Sequence, residues 1–320
     1  MSEDILVGDV GGTHVRFAIA HRQGGKIVTG SFVKFAGDDF DGFEGVLSAY
    51  LDQSGARARR ACFALAGPVR HGQVTLTNRG WHVSEQALQT RFGFRDARLI
   101  NDFTAMARAV PELEPDRFEP ILPGTPDPEA PVIVAGPGTG FGVATLIPDH
   151  GDWNVLTGEG GHMAFAPRSE LESQLAGILL RRFGYVSNEL VASGTGLVPV
   201  HEAFCEIYGR PVEDLSPADM RERADAGDEM YVQLILVRAC TVMGAVGDLA
   251  LANGALGGVV LAGGVTERIV DYLRMPEATA RFHERGPMSH YLADCPVDLM
   301  HDPEAPLIGA AAFYEQELRA

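Results

Sequence analysis

The sequence predicts a two-domain α/β protein with an internally duplicated βββα-type core. A strand, a turn carrying glycine and threonine, and a second strand open the chain, and the same pattern returns after residue 131. Mixed helix and strand follow each opening. Between the two lies a stretch at 111–131 with six prolines from Pro115 to Pro131, the best place for a domain boundary.

Ile5, Leu6 and Val7 form an apolar strand, and Gly8, Asp9, Val10, Gly11, Gly12 and Thr13 read as the turn that follows. Val15, Phe17 and Ile19 then alternate with Arg16 and Ala18, the period of two that a half-buried strand requires. The pattern predicts a strand over 26–35, a helix over 40–51, a strand over 61–66 and a helix over 84–92 capped by Ser84. A buried strand over 97–101 ends at Asp102 and leads into a helix over 103–110. In the second half, strands are expected over 132–135, 143–147 and 153–156, with a turn at 136–140. Apolar residues near helical spacing predict helices over 171–183, 197–208 and 228–253. A strand over 258–262, a turn at Gly263 and Gly264, a strand over 296–300 and a helix over 307–318 complete the chain.

The chain has 320 residues, 46% of them hydrophobic and 22% charged, which excludes disorder and allows a sizeable core. Its 38 glycines, about 12% against a usual ~7%, come without a Gly-X-Y period, so they mark tight turns or close backbone approaches rather than collagen. The net charge of −17 argues against nucleic acid or an anionic membrane as partner. A small anionic substrate remains open, because backbone N–H groups hold phosphate without basic side chains. Cys62, Cys205, Cys240 and Cys295 are dispersed and lack CxxC spacing, which signals neither a zinc site nor a disulfide framework. The acidic opening and the polar interruptions Arg238, Asp248 and Asn253 in the apolar stretch at 231–264 give the expectation of a soluble, cytoplasmic protein.

The first turn lacks the lysine of a GxxxxGK[ST] loop and leads into a strand instead of a helix, so neither common nucleotide signature applies. It offers converging N–H groups and a threonine hydroxyl, and Gly136, Pro137, Gly138, Thr139 and Gly140 repeat that chemistry in the other half. The pair suits a polyphosphate better than either alone. Asp9 within the first turn suits a Mg²⁺ that bridges carboxylate, water and phosphate, or else a local turn contact. Asn101 and Asp102 lie at the carboxyl end of a strand, where open α/β sheets place ligands and where helices take their caps. Glu159 and His162 sit among Gly158, Gly160 and Gly161, and Glu189 by itself reads as a surface residue.

Six segments, LVGDVGGTHVRFAIA (6–20), LINDFTAMA (99–107), AGPGTGFGVA (135–144), GEGGHMAFAP (158–167), SGTGL (193–197) and LAGGV (261–265), stand in the order found in the bacterial glucokinase family, which this chain resembles end to end. That family is the hexokinase-like branch of the actin-type ATPases. The resemblance implies a ribonuclease H-like, actin-like ATPase fold with a duplicated βββαβαβα core and a cleft between domains. It places a small α/β domain at 1–110 plus 302–320 and a large one at 111–301. It also implies ATP-dependent phosphorylation of the 6-hydroxyl of D-glucose, with Asp102 as general base and Asn101, Asp102, Glu159, His162 and Glu189 as sugar contacts. Gly8, Asp9, Val10, Gly11, Gly12, Thr13, Gly138, Thr139, Gly140, Gly194, Gly196, Gly263 and Gly264 would line the ATP site, with Asp9 reaching Mg²⁺ through water. A homodimer is implied as well.

His14 stands where relatives often have asparagine, and Thr195 where some have proline. The dispersed cysteines contradict the related repressor and sugar-kinase group, whose members carry a cysteine-rich zinc motif. An actin-like filament protein or chaperone has no use for the paired Asn101/Asp102 and Glu159/His162 with Glu189. Asp102 argues against a non-catalytic sugar sensor. A kinase with another preferred hexose remains the alternative, since selectivity at carbon two rests on geometry.

Overall fold

The structure is a computed structural model that describes residues 4–76 and 79–319. Two compact units make up the chain: Met1–Arg117 with Trp153–Thr157 and Asp302–Ala320, and Phe118–Asp152 with Gly158–His301.

In the first unit β1 (Ile5–Val10), β2 (His14–Gln23) and β3 (Lys26–Ala36) form an antiparallel meander. Then come α1 (Phe43–Ser54), β4 (Arg60–Leu65), the hairpin β5 (Gln73–Thr75) and β6 (His82–Ser84), α2 (Glu85–Phe92), β7 (Asp96–Asn101) and α3 (Asp102–Ala109). The sheet order is β3-β2-β1-β4-β7, with β1, β4 and β7 parallel. Strand alternation sends Leu6, Val10, Val15 and Phe17 to one face, against Phe43, Tyr50 and Phe63. Ile5, Val7, Ala18 and Ala20 go to the other.

The second unit holds β8 (Phe118–Leu122), β9 (Val132–Pro137), β10 (Phe141–Asp149), α4 (Glu170–Phe183), α5 (Asn188–Ala192), α6 (Leu197–Tyr208), α7 (Pro217–Asp225) and α8 (Glu229–Asn253), and its sheet is extended by β11 (Asp152–Gly158), whose Trp153–Thr157 segment counts with the first unit. It ends with β12 (Gly258–Leu261), α9 (Gly264–Arg268), α10 (Val270–Leu273), α11 (Pro276–His283) and β13 (Val297–Met300). The order β11-β10-β9-β12-β13-β8 repeats that of the first sheet, with β8 added antiparallel to β13. This repetition is the duplicated core expected from the sequence. α8 is long and apolar enough to cross a membrane by length and composition, and 78% of its most apolar window is buried inside the protein. The chain closes with α12 (Ala305–Glu317), whose Leu307, Ala310, Ala311 and Tyr314 cover the second face of the first sheet.

Several boundaries differ from the sequence expectation. β1 runs on through Gly8, Asp9 and Val10, paired on both sides, and β9 through Gly136 and Pro137, paired to β10, because a ladder needs only backbone. The turns proper are therefore Gly11 to Thr13 and Gly138 to Gly140. The proline-rich stretch contains β8; Pro120 is tolerated because β8 is an edge strand. Ser84 precedes α2 without a capping bond from its hydroxyl. α3 begins at Asp102, and Asn101 is its cap.

Candidate active site

In the first unit, the β1–β2 turn is closed by a bond from Gly11 N to the His14 carbonyl (3.0 Å) and anchored by one from Gly37 N to the Thr13 carbonyl (3.0 Å). Gly8 lies outside this turn: a Cβ there would meet the Phe17 and Phe63 rings at 2.8 and 2.7 Å, so its glycine is a packing requirement. Gly11 is different, since a Cβ would stand an ordinary 3.6 Å from His14 O. Asp9 faces Arg16 across the β1–β2 ladder, with 3.5 Å between Oδ2 and Nη1. Burial pushes its carboxyl up to about 6, against the opposing pull of Arg16.

At the end of β7, the Asn101 side chain accepts from Phe103 N (2.9 Å) and Thr104 N (3.3 Å) and donates to the Gly67 carbonyl (3.2 Å). That leaves one of its amide N–H groups without a partner among the described residues. Asp102 follows on the first turn of α3, with Oδ1 accepting from Phe103 N at 2.9 Å. The helix dipole favours negative charge at that end. Both residues are partly buried.

The second unit gathers three glycine-bearing segments that are far apart in sequence. Gly194 N donates to Gly138 O (2.8 Å), Thr195 N to Thr139 O (3.2 Å), and the Thr195 hydroxyl to the same Thr139 carbonyl (3.0 Å). Gly196 N in turn donates to the Ser193 hydroxyl (3.1 Å). Gly263, at φ +95°, approaches so closely that a Cβ would lie 2.8 Å from Pro137 O. Gly138, Thr139, Gly140, Gly194, Gly196, Gly263 and Gly264 thus form one cluster. Within it, a methyl at Gly138 or Gly264 would meet no atom within 4 Å among the described residues.

Glu189 stands beside this cluster. Its Oε2 accepts from Phe141 N at 2.7 Å, its Oε1 lies 3.7 Å from His162 Nε2, and a Cβ on Gly140 would meet Oε2 at 2.6 Å. His162 sits on an exposed loop whose backbone is tied by His162 N to the Glu159 carbonyl (3.0 Å) and by the Tyr185 hydroxyl to the His162 carbonyl (2.8 Å). The exit of the loop is pinned by the buried Glu172, which accepts from Arg168 N (2.6 Å) and Arg281 Nη2 (3.0 Å). Glu159, His162 and Glu189 are therefore placed within one unit, with carboxylates and an imidazole able to donate to or accept from sugar hydroxyls. Among the described residues no group of three or more His, Cys, Asp or Glu has the arrangement of a metal cage.

The family model described as glucokinase matches residues 6–317. The chain belongs to the glucokinase family. It is 42% identical over 317 residues to the glucokinase of Caulobacter sp. strain K31, spanning 98% of this chain and 96% of that protein. It is 38% identical over 315 residues to that of Chromobacterium violaceum, spanning 98% and 90%. Among solved structures, the glucokinase of an Antarctic psychrotroph superimposes with a TM-score of 0.87 at 35% identity, covering 99% of this chain and all of that one. The family carries the actin-like ATPase fold.

In this glucokinase-family chain, His14 and Thr195 both have structural work. The His14 carbonyl closes the first turn, and the Thr195 hydroxyl staples the second. The sequence carries no sign of Tyr185, Arg281 and Arg238, each of which holds a site segment through a contact 23 or more residues away, or of Glu172, which ties Arg281 to the loop exit. Residue type and spacing carry no signal for such contacts.

Proposed function

We propose that Asp102 is the general base in the reaction this chain performs, transfer of the γ-phosphoryl group of ATP to the 6-hydroxyl of D-glucose. The carboxylate takes the O6 proton as O6 bonds to phosphorus and the bond to the ADP oxygen breaks. Such assistance is worth about 10²–10⁴-fold in rate. What carries this reading is the position of Asp102, a partly buried carboxylate on the first turn of α3 beside an Asn101 fixed at both ends of its amide.

Asn101 through its remaining N–H, with Glu159, His162 and Glu189, binds the sugar hydroxyls. Gly11, Gly12, Thr13 and the cluster of Gly138, Thr139, Gly140, Gly194, Gly196, Gly263 and Gly264 hold ATP, largely through backbone N–H groups. Gly8 and Val10 support that surface from inside β1. The open space over Gly138 and Gly264 supports this assignment, because neither packing nor backbone conformation requires glycine there.

Mg²⁺ fits Asp9. A single carboxylate that Arg16 at 3.5 Å only partly offsets against burial, beside a glycine turn, suits an ion that keeps most of its waters and takes one or two protein oxygens. When bound it neutralises charge on the phosphates. Four free, buried cysteines accord with a reducing cytoplasm. Exposed Leu180 and Phe183, three residues apart on α4, offer apolar surface for a homodimer.

The test is ADP release by purified protein with Mg²⁺ across a panel of hexoses and nucleotides, with Asp102→Ala alongside. Glucose-dependent release that collapses in the variant supports the reading. Release that is independent of glucose, or unaffected by the substitution, removes it.

A further inference from the structure

The described buried arginines share a pattern with one exception. Arg108 has Glu112 at 3.2 Å, Arg281 has Glu172 at 3.0 Å, Arg285 has Asp248 at 3.4 Å, and Arg79 has Asp38 at 2.8 Å. Arg238, 5% exposed in the middle of α8, has no carboxylate within ion-pair distance among the described residues. Its Nη2 donates to the carbonyls of Ala192 (2.9 Å) and Ser193 (2.8 Å), and its Nε has no hydrogen-bond partner among them. Burial alone pulls its pKa down to about 10, so the guanidinium stays charged at neutral pH.

A buried cation without a counter-ion is costly, and apolar side chains of similar volume are often neutral or stabilising in its place. The two carbonyls explain where Nη2 points. A neutral donor would satisfy them at lower desolvation cost. What distinguishes this position is the segment it touches: Ser193 opens the turn through Gly194, Thr195 and Gly196, which is bonded to Gly138 and Thr139. The arginine therefore sits directly behind the glycine cluster.

We propose that Arg238 is a positioning residue for ATP, a buried fixed charge whose counter-charge is the polyphosphate held on the turn above it. The proposal rests on the assignment of ATP to that cluster. In a low-dielectric interior the field of the guanidinium is screened far less than at the surface. It also polarises the turn carbonyls it binds, so that the charge and the backbone N–H groups act on the phosphates together. A fixed charge of this kind discriminates ligands by their phosphate charge, which a purely structural arginine does not.

The experiment compares R238Q, R238M and R238K with the parent protein for ATP and glucose KM, and for binding of adenosine, ADP and inorganic tripolyphosphate. The expected result in R238Q or R238M is a rise of about tenfold in ATP KM and in the Kd of ADP and tripolyphosphate, with adenosine binding and glucose KM unchanged. R238K, which keeps the charge, recovers most of the loss. Equal weakening of adenosine and tripolyphosphate, or unchanged binding of all three in a folded variant, overturns the proposal. So does failure of both neutral variants to fold, which would make Arg238 a requirement of the fold. Gly264→Ala in the same assays separates the two levels. If it too leaves ATP binding unchanged, the assignment of ATP to the cluster fails; if it weakens ATP binding while R238Q does not, only the role of Arg238 fails.

Discussion

Gly138→Ala isolates the part of glycine chemistry that serves a ligand. The residue lies outside the left-handed region, a Cβ would meet no described atom within 4 Å, and its N–H and carbonyl keep their 2.8 Å bonds to Gly140 O and Gly194 N whatever the side chain. Folding stability should therefore rise by about 0.4–1 kcal/mol through the loss of unfolded-chain entropy. For a unit of this size that is a gain of about 1–4 °C in melting temperature. A phosphate resting on the bare backbone would meanwhile be displaced by ~1 Å, a misplacement worth about 10²-fold in kcat/KM for ATP. Thermal melts and a coupled ADP assay read the two effects independently. Gly136→Ala is the contrast, because a Cβ there falls onto the Ala262 carbonyl inside van der Waals contact. It should lower the melting temperature, as overpacking costs about 1–3 kcal/mol. If Gly138→Ala gains stability and keeps the parent kcat/KM for ATP, the idea that glycines unneeded by the fold mark the phosphate surface is wrong.

Three further outcomes are expected. Asp102→Ala should retain glucose binding by calorimetry while turnover falls about 10²–10⁴-fold; near-normal turnover would remove Asp102 from the base role. Gly140→Ala places a Cβ 2.6 Å from Glu189 Oε2 and competes with the bond to Phe141 N, so glucose KM should rise about tenfold or more, a charged hydrogen bond being worth about 1.5–3 kcal/mol; an unchanged glucose KM would remove Glu189 from the sugar contacts. The Asp9 carboxyl, raised from 3.8 to about 6 in the fold, contributes stability when protonated, in full below pH 3.8 and lost as pH rises through 6. Asp9→Asn should thus melt like the parent near pH 4 and be more stable above pH 6, by up to ~2–3 kcal/mol at 1.36 kcal/mol per pKa unit; equal melting temperatures at pH 7.5 would refute the burial argument.

The fold was legible wherever side chains announced the backbone. Val15, Phe17 and Ile19 alternate because one sheet face is packed against α1 while the other meets α12, and the apolar run at 228–253 is helical because it is the core helix of its unit. The same criterion stopped β1 at Val7 and β9 at Ala135, since Gly8, Asp9, Gly136 and Pro137 carry no apolar signal although their backbone continues the ladders. β8 was hidden by its own proline. In the candidate site, the strand-end position of Asn101 and Asp102 was visible from a local pattern. Glu189 was not: it read as a surface residue because Phe141, the residue whose N–H fixes its carboxylate, is 48 positions away. Arg238 lay equally beyond reach, as its meaning depends on which carbonyls it meets and on the carboxylate it lacks.

The duplication explains why one hairpin serves two chemistries. Each unit places a turn between the first two strands of its repeated core, β1–β2 in one and β9–β10 in the other, with the ladder carrying the glycines before the turn into the strand. In the first unit the last positions of that strand hold Asp9, and the turn is closed locally by Gly11 and His14. The corresponding strand of the second unit ends instead in Gly136 and Pro137, with no carboxylate. There the turn is stapled from outside by Gly194 and Thr195, while Glu189 reaches back to Phe141 at the start of the next strand. A turn that carries a buried carboxylate suits a cation, whereas a carboxylate-free turn with a buried arginine behind it suits an anion. The two copies have kept their backbone pairing and diverged in charge, and the division of labour over ATP proposed above rests on that divergence.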